Sequence, residues 1–295
     1  MVKVFVFGAS GFIGNPVAKA FARAGHEVYG LTRSTEKAVE LNKDEITGVI
    51  GDARKPETWI KFASEASIII NTSADAQDRQ GFEISIIDIV TKIARDTGRK
   101  PIFIFTTGAW LYGHRPNELS EEDDYSGVPE EIAWRAEAEQ TVIRSTDFRG
   151  VVLRPAMVYG KAGSLFNLIF NQASQGKVNI FGDENTRWGV VHTDDLAEAY
   201  LSAAENIFRT QGEIISVANL HTESVTEIAR AALRVSGKPE GVITYSKPSN
   251  WLEKALSFSS RSSNFKAVTL LGFQQKHLGV VDGIETYIRS ARAYQ

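Results

Sequence analysis

The feature that most constrains this chain is the run Gly8-Ala9-Ser10-Gly11-Phe12-Ile13-Gly14, with a glycine at every third position. It follows the apolar stretch Lys3–Phe7, which reads as a buried strand. It opens Asn15–Ala24, which reads as a helix stopping at Gly25. Each glycine has a separate physical duty. The first permits a tight turn, the second lets backbone N–H groups approach a pyrophosphate, and the third lets the helix pack closely on the sheet. The phosphates then meet the positive end of the helix. A glycine-rich turn that binds nothing has the same letters. The strand before it, the helix after it and a second strand at Glu27–Leu31 favour a dinucleotide site. Gly8, Ser10, Gly11, Phe12, Ile13 and Gly14 are the candidate cofactor residues of this turn.

The pattern beyond the turn repeats the same alternation. Helical stretches are expected at Thr35–Asn42, Pro56–Ser64, Phe82–Thr97 and Glu130–Ser145. Strands are expected at Thr47–Ile50, Ser67–Asn71, Pro101–Thr106 and Gly150–Arg154. Strand–helix alternation of this kind predicts an α/β fold with a parallel sheet covered on both faces. The second half is less regular. Helices are expected at Ser164–Gln175, at Asp194–Ala204 with Thr193 as N-cap, and at Val225–Val235 after Thr222 or Ser224. Strands are expected at Val190–Val191 and Glu213–Ala218. No repeat and no linker divides the chain, so a second lobe has to be assembled from interleaved pieces.

Composition removes several function classes. A net charge of −3 over 295 residues argues against a nucleic-acid partner, which needs a basic face. The absence of cysteine excludes disulfides, thiolate zinc sites, iron–sulfur clusters and a cysteine nucleophile. The five histidines are scattered in sequence, so no metal site is expected. Val4–Phe7 is too short to span a bilayer, no targeting signal or lipidation box is visible, and a cytoplasmic protein without a membrane partner is the expectation.

The end of the second strand distinguishes between cofactors. Enzymes that use NAD usually place an acid there; this chain has Leu31-Thr32-Arg33-Ser34. Arg33 offers a planar fork of donors to a 2′-phosphate, Ser34 adds a hydroxyl, and Lys37 adds charge one turn on. NADP(H) is therefore expected rather than NAD(H), although a solvent-exposed arginine has the same sequence. Asp52, followed by Ala53, closes the third strand and is suited either to accept from an adenine amino group or to cap a turn. Thr72 and Ser73, directly after the fourth strand, complete the cofactor-side candidates.

Several further motifs recur in a shared order: Gly51-Asp52, Thr106-Thr107-Gly108 running to Leu111-Tyr112-Gly113, Leu153-Arg154-Pro155 running to Val158-Tyr159-Gly160, Gly182-Asp183, Val191-His192-Thr193-Asp194-Asp195-Leu196-Ala197, and Leu271-Gly272-Phe273. With the glycine turn, these make the chain resemble the extended short-chain dehydrogenase/reductases, in particular the NAD-dependent epimerase/dehydratase-like branch, over nearly its whole length. The resemblance implies a Rossmann-type doubly wound parallel sheet of about seven strands with a smaller, discontinuous C-terminal substrate lobe. Residues 1–160, with 189–220 returning, would form the dinucleotide-binding domain; 161–188 and 221–295 would form mainly the lobe. It also implies that Thr106 and Thr107 lie near the nicotinamide ribose. Pro155, Ala156 and Val158 would wall the nicotinamide amide, and Arg187 and Trp188 would line the lobe side of the cleft.

The chain departs from that family in one place. Carbonyl-reducing members carry a Tyr-x-x-x-Lys helix whose tyrosine passes a proton to the substrate oxygen. Aligned on Glu139, this chain puts Glu131 at the tyrosine position, Arg135 at the lysine position and Gly108 at the usual serine, with Thr107 adjacent. Arginine stays protonated and relays no proton, but it can hold a ribose hydroxyl or an anionic substrate. Thr107, Tyr112, Glu131 and Arg135 are the catalytic candidates. Glu131 reads equally as a solvated helix residue, and Tyr112 as a packed aromatic. Tyr125, beside the acidic run Glu121-Glu122-Asp123-Asp124, is a further phenol that could fold over the cleft. Trp134, Arg135 and Glu139 together resemble an atypical subgroup lacking the tyrosine and lysine. His192 reads as a brace for the lobe, and Asp194 and Asp195 suit a first helical turn.

Two functions fit. One is an atypical NADP(H)-dependent oxidoreductase acting on a small carbonyl, enone or sugar-like substrate. The other is a non-catalytic NADP(H)-binding sensor that regulates other proteins. A monomer or a homodimer is expected; the family resemblance implies that a dimer would form through Phe82–Thr97 and Glu130–Ser145.

Overall fold

The computed structural model describes residues 1–119, 125 and 127–294. The acidic run Glu121-Glu122-Asp123-Asp124 lies outside the described residues. Seven strands form the central sheet: β1 Lys3–Phe7, β2 Glu27–Thr32, β3 Thr47–Ile50, β4 Ile68–Asn71, β5 Ile102–Thr106, β6 Arg149–Pro155 and β7 Ile214–Val217. Their spatial order is β7-β6-β5-β4-β1-β2-β3, and every pairing is parallel. The order reverses between β1 and β4, which places a crevice at the carboxyl ends of the strands.

The alternation of side chains along each strand decides the two cores. Val4 and Val6 of β1 and Ile102 and Ile104 of β5 face one side, with α1 Gly14–Arg23 and α7 Thr193–Glu205 packed over them. Phe5, Phe7, Phe103 and Phe105 face the other, under α3 Ile60–Glu65, α4 Arg79–Thr97 and α5 Trp134–Ile143. Trp59 anchors that second core, stacked on Phe5 at 5.6 Å and edge-on to Phe7 at 4.8 Å. Burying each such ring contributes roughly 2 kcal/mol, so the alternation specifies strand register strongly. A third core forms where α6 Phe166–Ser174 packs with the helix Val225–Val235 around Val178 and Trp188.

Most expected elements match within a residue or two, and five differences are informative. Pro56–Ser64 splits into a 3₁₀ turn, Pro56–Thr58, and α3. Glu130–Ser145 splits in the same way at Glu130–Ile132, before α5. The N-cap of α7 is His192 rather than Thr193, because the His192 imidazole accepts the Asp194 N–H at 3.1 Å. A strand not expected from the sequence, Arg115–Leu119, joins Ser260–Ser262 in a small four-stranded sheet with Arg187–Trp188 and Glu223–Ser224. The helix Phe265–Leu271, inside the stretch assigned mainly to the lobe, buries Ala267 and Leu271 in the same core as α7. Among the described residues no helix is long and apolar enough to cross a membrane.

Candidate functional site

The glycine turn sits at the crevice and separates two cavities. Gly8 adopts φ +78°, a left-handed conformation that glycine takes without a Cβ penalty. Gly14 has no room for a side chain: a Cβ would lie 2.1 Å from the Gly8 carbonyl oxygen and 2.5 Å from Thr72 Oγ1. The turn is closed by the Gly11 N–H donating to the Gly8 carbonyl at 2.8 Å. Ile13 stands at the N-cap of α1, where no side chain caps the helix; the Asn15 N–H donates to the Gly11 carbonyl at 3.0 Å and Pro16 has none, which leaves the N–H groups of Ile13 and Gly14 to face a ligand.

The first cavity, about 580 Å3, is lined by Gly8, Ser10 and Gly11, by Arg33 and Lys37 beyond β2, and by Asp52, Ala53, Thr72 and Ser73 at the ends of β3 and β4. Arg33 and Lys37 make no ion pair among the described residues. Thr72 Oγ1 donates to the Phe7 carbonyl at 2.7 Å, and Ser73 Oγ to Asn71 Oδ1 at 2.6 Å, which ties the β4 end to the turn. Two candidates are partly occupied. Asp52 Oδ1 accepts the Arg54 N–H at 2.9 Å, the turn-capping alternative. Ser34 Oγ caps α2 Thr35–Lys43 by accepting the Lys37 N–H at 3.2 Å and donates to Glu36 Oε2 at 2.6 Å. The Ser34 hydroxyl therefore braces the helix beside the cavity.

The second cavity, about 240 Å3, gathers Phe12 and Ile13 from the turn, Thr107 and Trp110 after β5, and Pro155, Ala156 and Val158 after β6, with Arg135 of α5 and Arg79 of α4. Thr107 Oγ1 donates to Glu139 Oε1 at 2.5 Å. Strand alternation turns Arg154 to the α5 side of β6, where its Nε donates to the same Glu139 oxygen at 2.9 Å and a second nitrogen reaches Oε2. Tyr125 donates to Glu139 Oε2 at 3.0 Å and also accepts from Arg154. Both charged side chains of this pair are fully buried. Burial acts to lower the Arg154 pKa, but the hydrogen bond and charge of Glu139 outweigh it and raise it. Burial, then the Glu139 charge, raises the Tyr125 phenol.

Not all catalytic candidates meet here. Arg135 does, and forms a bidentate pair with Glu83, a carboxylate only 1% exposed that burial pushes upward in pKa. Glu131 does not: the 3₁₀ break leaves it on the surface, 3.4 Å from Lys254. Tyr112 is buried with its hydroxyl 2.9 Å from Ser216 Oγ and its ring 4.9 Å from the Arg154 guanidinium, outside the cavity lining. Thr106 Oγ1 donates to the Asn71 carbonyl at 2.5 Å and lies 2.7 Å from the Tyr200 hydroxyl, beneath the cavity. Trp188 and Arg187 also point elsewhere: Trp188 lies in the lobe core donating to the Leu256 carbonyl, and Arg187 binds Thr222. The sequence missed Arg79 and the Thr107–Glu139–Arg154–Tyr125 network. An arginine opening a helix, where the dipole disfavours it, was the available signal for Arg79.

Two histidines that are scattered in sequence also meet. His192 stacks on His277 at 3.7 Å, and His277 Nδ1 lies 2.7 Å from Asp195 Oδ1. His192, Asp194 and His277 bring potential ligand atoms within 4.8 Å of one another. Lys161 holds Asp194 by an ion pair, and His192 Nδ1 caps α7.

Comparison with known proteins bears on the fold and the family. A profile of the NAD dependent epimerase/dehydratase family matches residues 4–218. An uncharacterised protein of Saccharomyces cerevisiae is 32% identical over 212 residues, 68% of this chain and 69% of that one. A 2-alkyl-3-oxoalkanoate reductase of Stenotrophomonas maltophilia is 22% identical over 278 residues, 88% of this chain and 80% of that one. The UDP-glucuronic acid 4-epimerase of Bacillus cereus, solved with UDP-glucuronic acid and NAD, superposes with a TM-score of 0.82 at 18% identity, covering 99% of this chain and 100% of that one. The sheet order, the glycine turn and the matched profile together make this chain a member of the NAD-dependent epimerase/dehydratase family, within the extended short-chain dehydrogenase/reductases.

Proposed function

We propose that the protein is an atypical NADP(H)-dependent oxidoreductase acting on a small carbonyl, enone or sugar-like substrate. The observation that carries the reading is the division of the crevice by the glycine turn into a basic cavity and a smaller, mainly apolar one. The N–H groups of Ile13 and Gly14 at the start of α1 and the glycine cradle fit a pyrophosphate. Arg33 and Lys37, without ion-pair partners among the described residues, fit a 2′-phosphate. Ala156, Pro155 and Val158 fit the flat, neutral face of a nicotinamide. A bound dinucleotide supplies the hydride chemistry.

The chain's own residues would do the rest. Thr107, held by Glu139, presents its hydroxyl oxygen beside the reacting centre. Arg154 keeps the Glu139 carboxylate fixed. Arg135 takes the lysine's place as a permanent cation. Phe12, Ile13 and Trp110 exclude water from the apolar side. Tyr112 and Glu131 take no part in this scheme.

The reading is tested by titrating cofactor-stripped protein with NADPH and NADH, alongside Arg33→Ala. NADPH is expected to bind about tenfold tighter than NADH, a difference of about 1.4 kcal/mol that Arg33→Ala removes. Equal or tighter NADH binding overturns the NADP(H) assignment. One observation favours the sensor alternative: among the described residues, no tyrosine or lysine side chain lines the second cavity. Turnover of NADPH with any member of a carbonyl and enone panel decides for the enzyme. Binding without turnover, together with capture of a partner protein, decides for the sensor.

A further inference from the structure

The second cavity carries a charge imbalance that a dinucleotide does not explain. Its walls are apolar, from Phe12, Trp110 and Leu165, yet two guanidiniums, Arg79 and Arg135, also line it. No carboxylate is among the lining residues. One buried acid, Glu83, serves both: it forms a bidentate pair with Arg135 and lies within range of the Arg79 charge, so two cations share a single carboxylate. Arg79, one turn before Glu83 on the same helix, is half-buried and makes no hydrogen bond or ion pair among the described residues. Its neighbour Asp78 is engaged as the N-cap of α4, accepting the Gly81 N–H at 2.9 Å. Arg79 also opens the helix, where the macrodipole opposes a cation. A residue that breaks a local rule on a cavity wall points to a ligand contact.

The cofactor's phosphates do not need these cations. Its phosphates are served by the glycine turn and by Arg33 and Lys37 on the far side of the turn. A nicotinamide ring is neutral when reduced and positive when oxidised, so a guanidinium beside it gains nothing unless an anion is also present. We infer that the second cavity takes a carboxylate-bearing small molecule, its apolar body against Phe12, Trp110 and Leu165 and its carboxylate shared by Arg79 and Arg135. Arginine suits this duty because its fork matches a carboxylate in two hydrogen bonds. This substrate class rests on the dinucleotide reading above, and the experiment separates the two.

Binding of 3-phenylpropionate and of 3-phenylpropionamide is measured by calorimetry, with and without saturating NADP⁺, on the wild type, Arg79→Gln and Arg79→Lys. NADP⁺ affinity is measured on the same three proteins. The carboxylate is expected to bind at least about tenfold tighter than the amide. Arg79→Gln is expected to abolish that preference, Arg79→Lys to restore part of it, and NADP⁺ affinity to change less than about twofold. Equal binding of acid and amide overturns the inference, as does no carboxylate binding at millimolar concentration. A tenfold loss of NADP⁺ affinity in Arg79→Gln with the acid preference intact also overturns it, by making Arg79 a cofactor residue. A carboxylate preference without NADP⁺ binding sinks the dinucleotide reading alone. NADP⁺ binding without the preference sinks this inference alone.

Discussion

Replacing Glu139 by alanine probes the buried network under Thr107. In the native protein Glu139 and Arg154 are both fully buried, and their two-pronged contact is supplemented by Thr107 at 2.5 Å and Tyr125 at 3.0 Å. Without the carboxylate, Arg154 retains the Tyr125 hydroxyl and the faces of two rings, Tyr112 at 4.9 Å and Tyr125 at 5.0 Å. Ring faces offset only a small part of a buried charge. Removing one partner of such a pair costs about 3–5 kcal/mol, because the remaining charge is uncompensated. For a chain of this size that lowers the thermal midpoint by on the order of 10 °C. The assay is thermal unfolding followed by near-ultraviolet circular dichroism, with the double variant Glu139→Met/Arg154→Met as comparator. The double variant removes both charges and is expected to recover most of the loss. The reasoning fails if Glu139→Ala shifts the midpoint by less than about 2 °C. It also fails if the double variant is the less stable of the two.

Two further predictions concern the turn and its brace. Gly14→Ala pushes a Cβ to within 2.1 Å of the Gly8 carbonyl, so the turn must open; a Cβ at Gly11 meets that carbonyl at only 3.1 Å. Gly14→Ala is therefore expected to lose both thermal stability and dinucleotide affinity. Gly11→Ala is expected to lose affinity while keeping stability, which calorimetry and thermal unfolding together decide. Burial, followed by the neighbouring His277, holds the His192 imidazole down from 6.5 to about 4. Between those values the unfolded chain binds a proton that the native state refuses, so stability falls as pH drops from about 6.5 toward 4, by up to roughly 3 kcal/mol. His192→Asn keeps a capping acceptor for α7 and is expected to flatten that decline in denaturant unfolding. Parallel slopes for the two proteins refute it.

Local rules made much of this molecule legible from its residues. The alternation Val4, Phe5, Val6, Phe7 predicts a strand with two buried faces, and the structure sends valines to one core and phenylalanines to the other. The glycine spacing predicts a turn too tight for side chains, and Gly14 packs against Gly8 and Thr72 accordingly. These features depend on backbone conformation and on side-chain period, which act over a few residues. The catalytic candidates did not yield to the same reasoning. Glu131 and Arg135 read as neighbours on one helix, but the 3₁₀ break before Trp134 sends Glu131 to solvent and Arg135 to the cavity. Tyr112 is drawn inward by Ser216 on β7, and Tyr125 joins Arg154 and Glu139. His192 meets His277 across the fold. Each of these contacts joins segments far apart in the chain, and their selection depends on how sheet, helices and lobe close on one another. Sequence by itself determined the strands of the central sheet, the turn and the location of the crevice; tertiary packing decided which polar side chains reach that crevice, because buried charges settle wherever a partner from another segment can satisfy them.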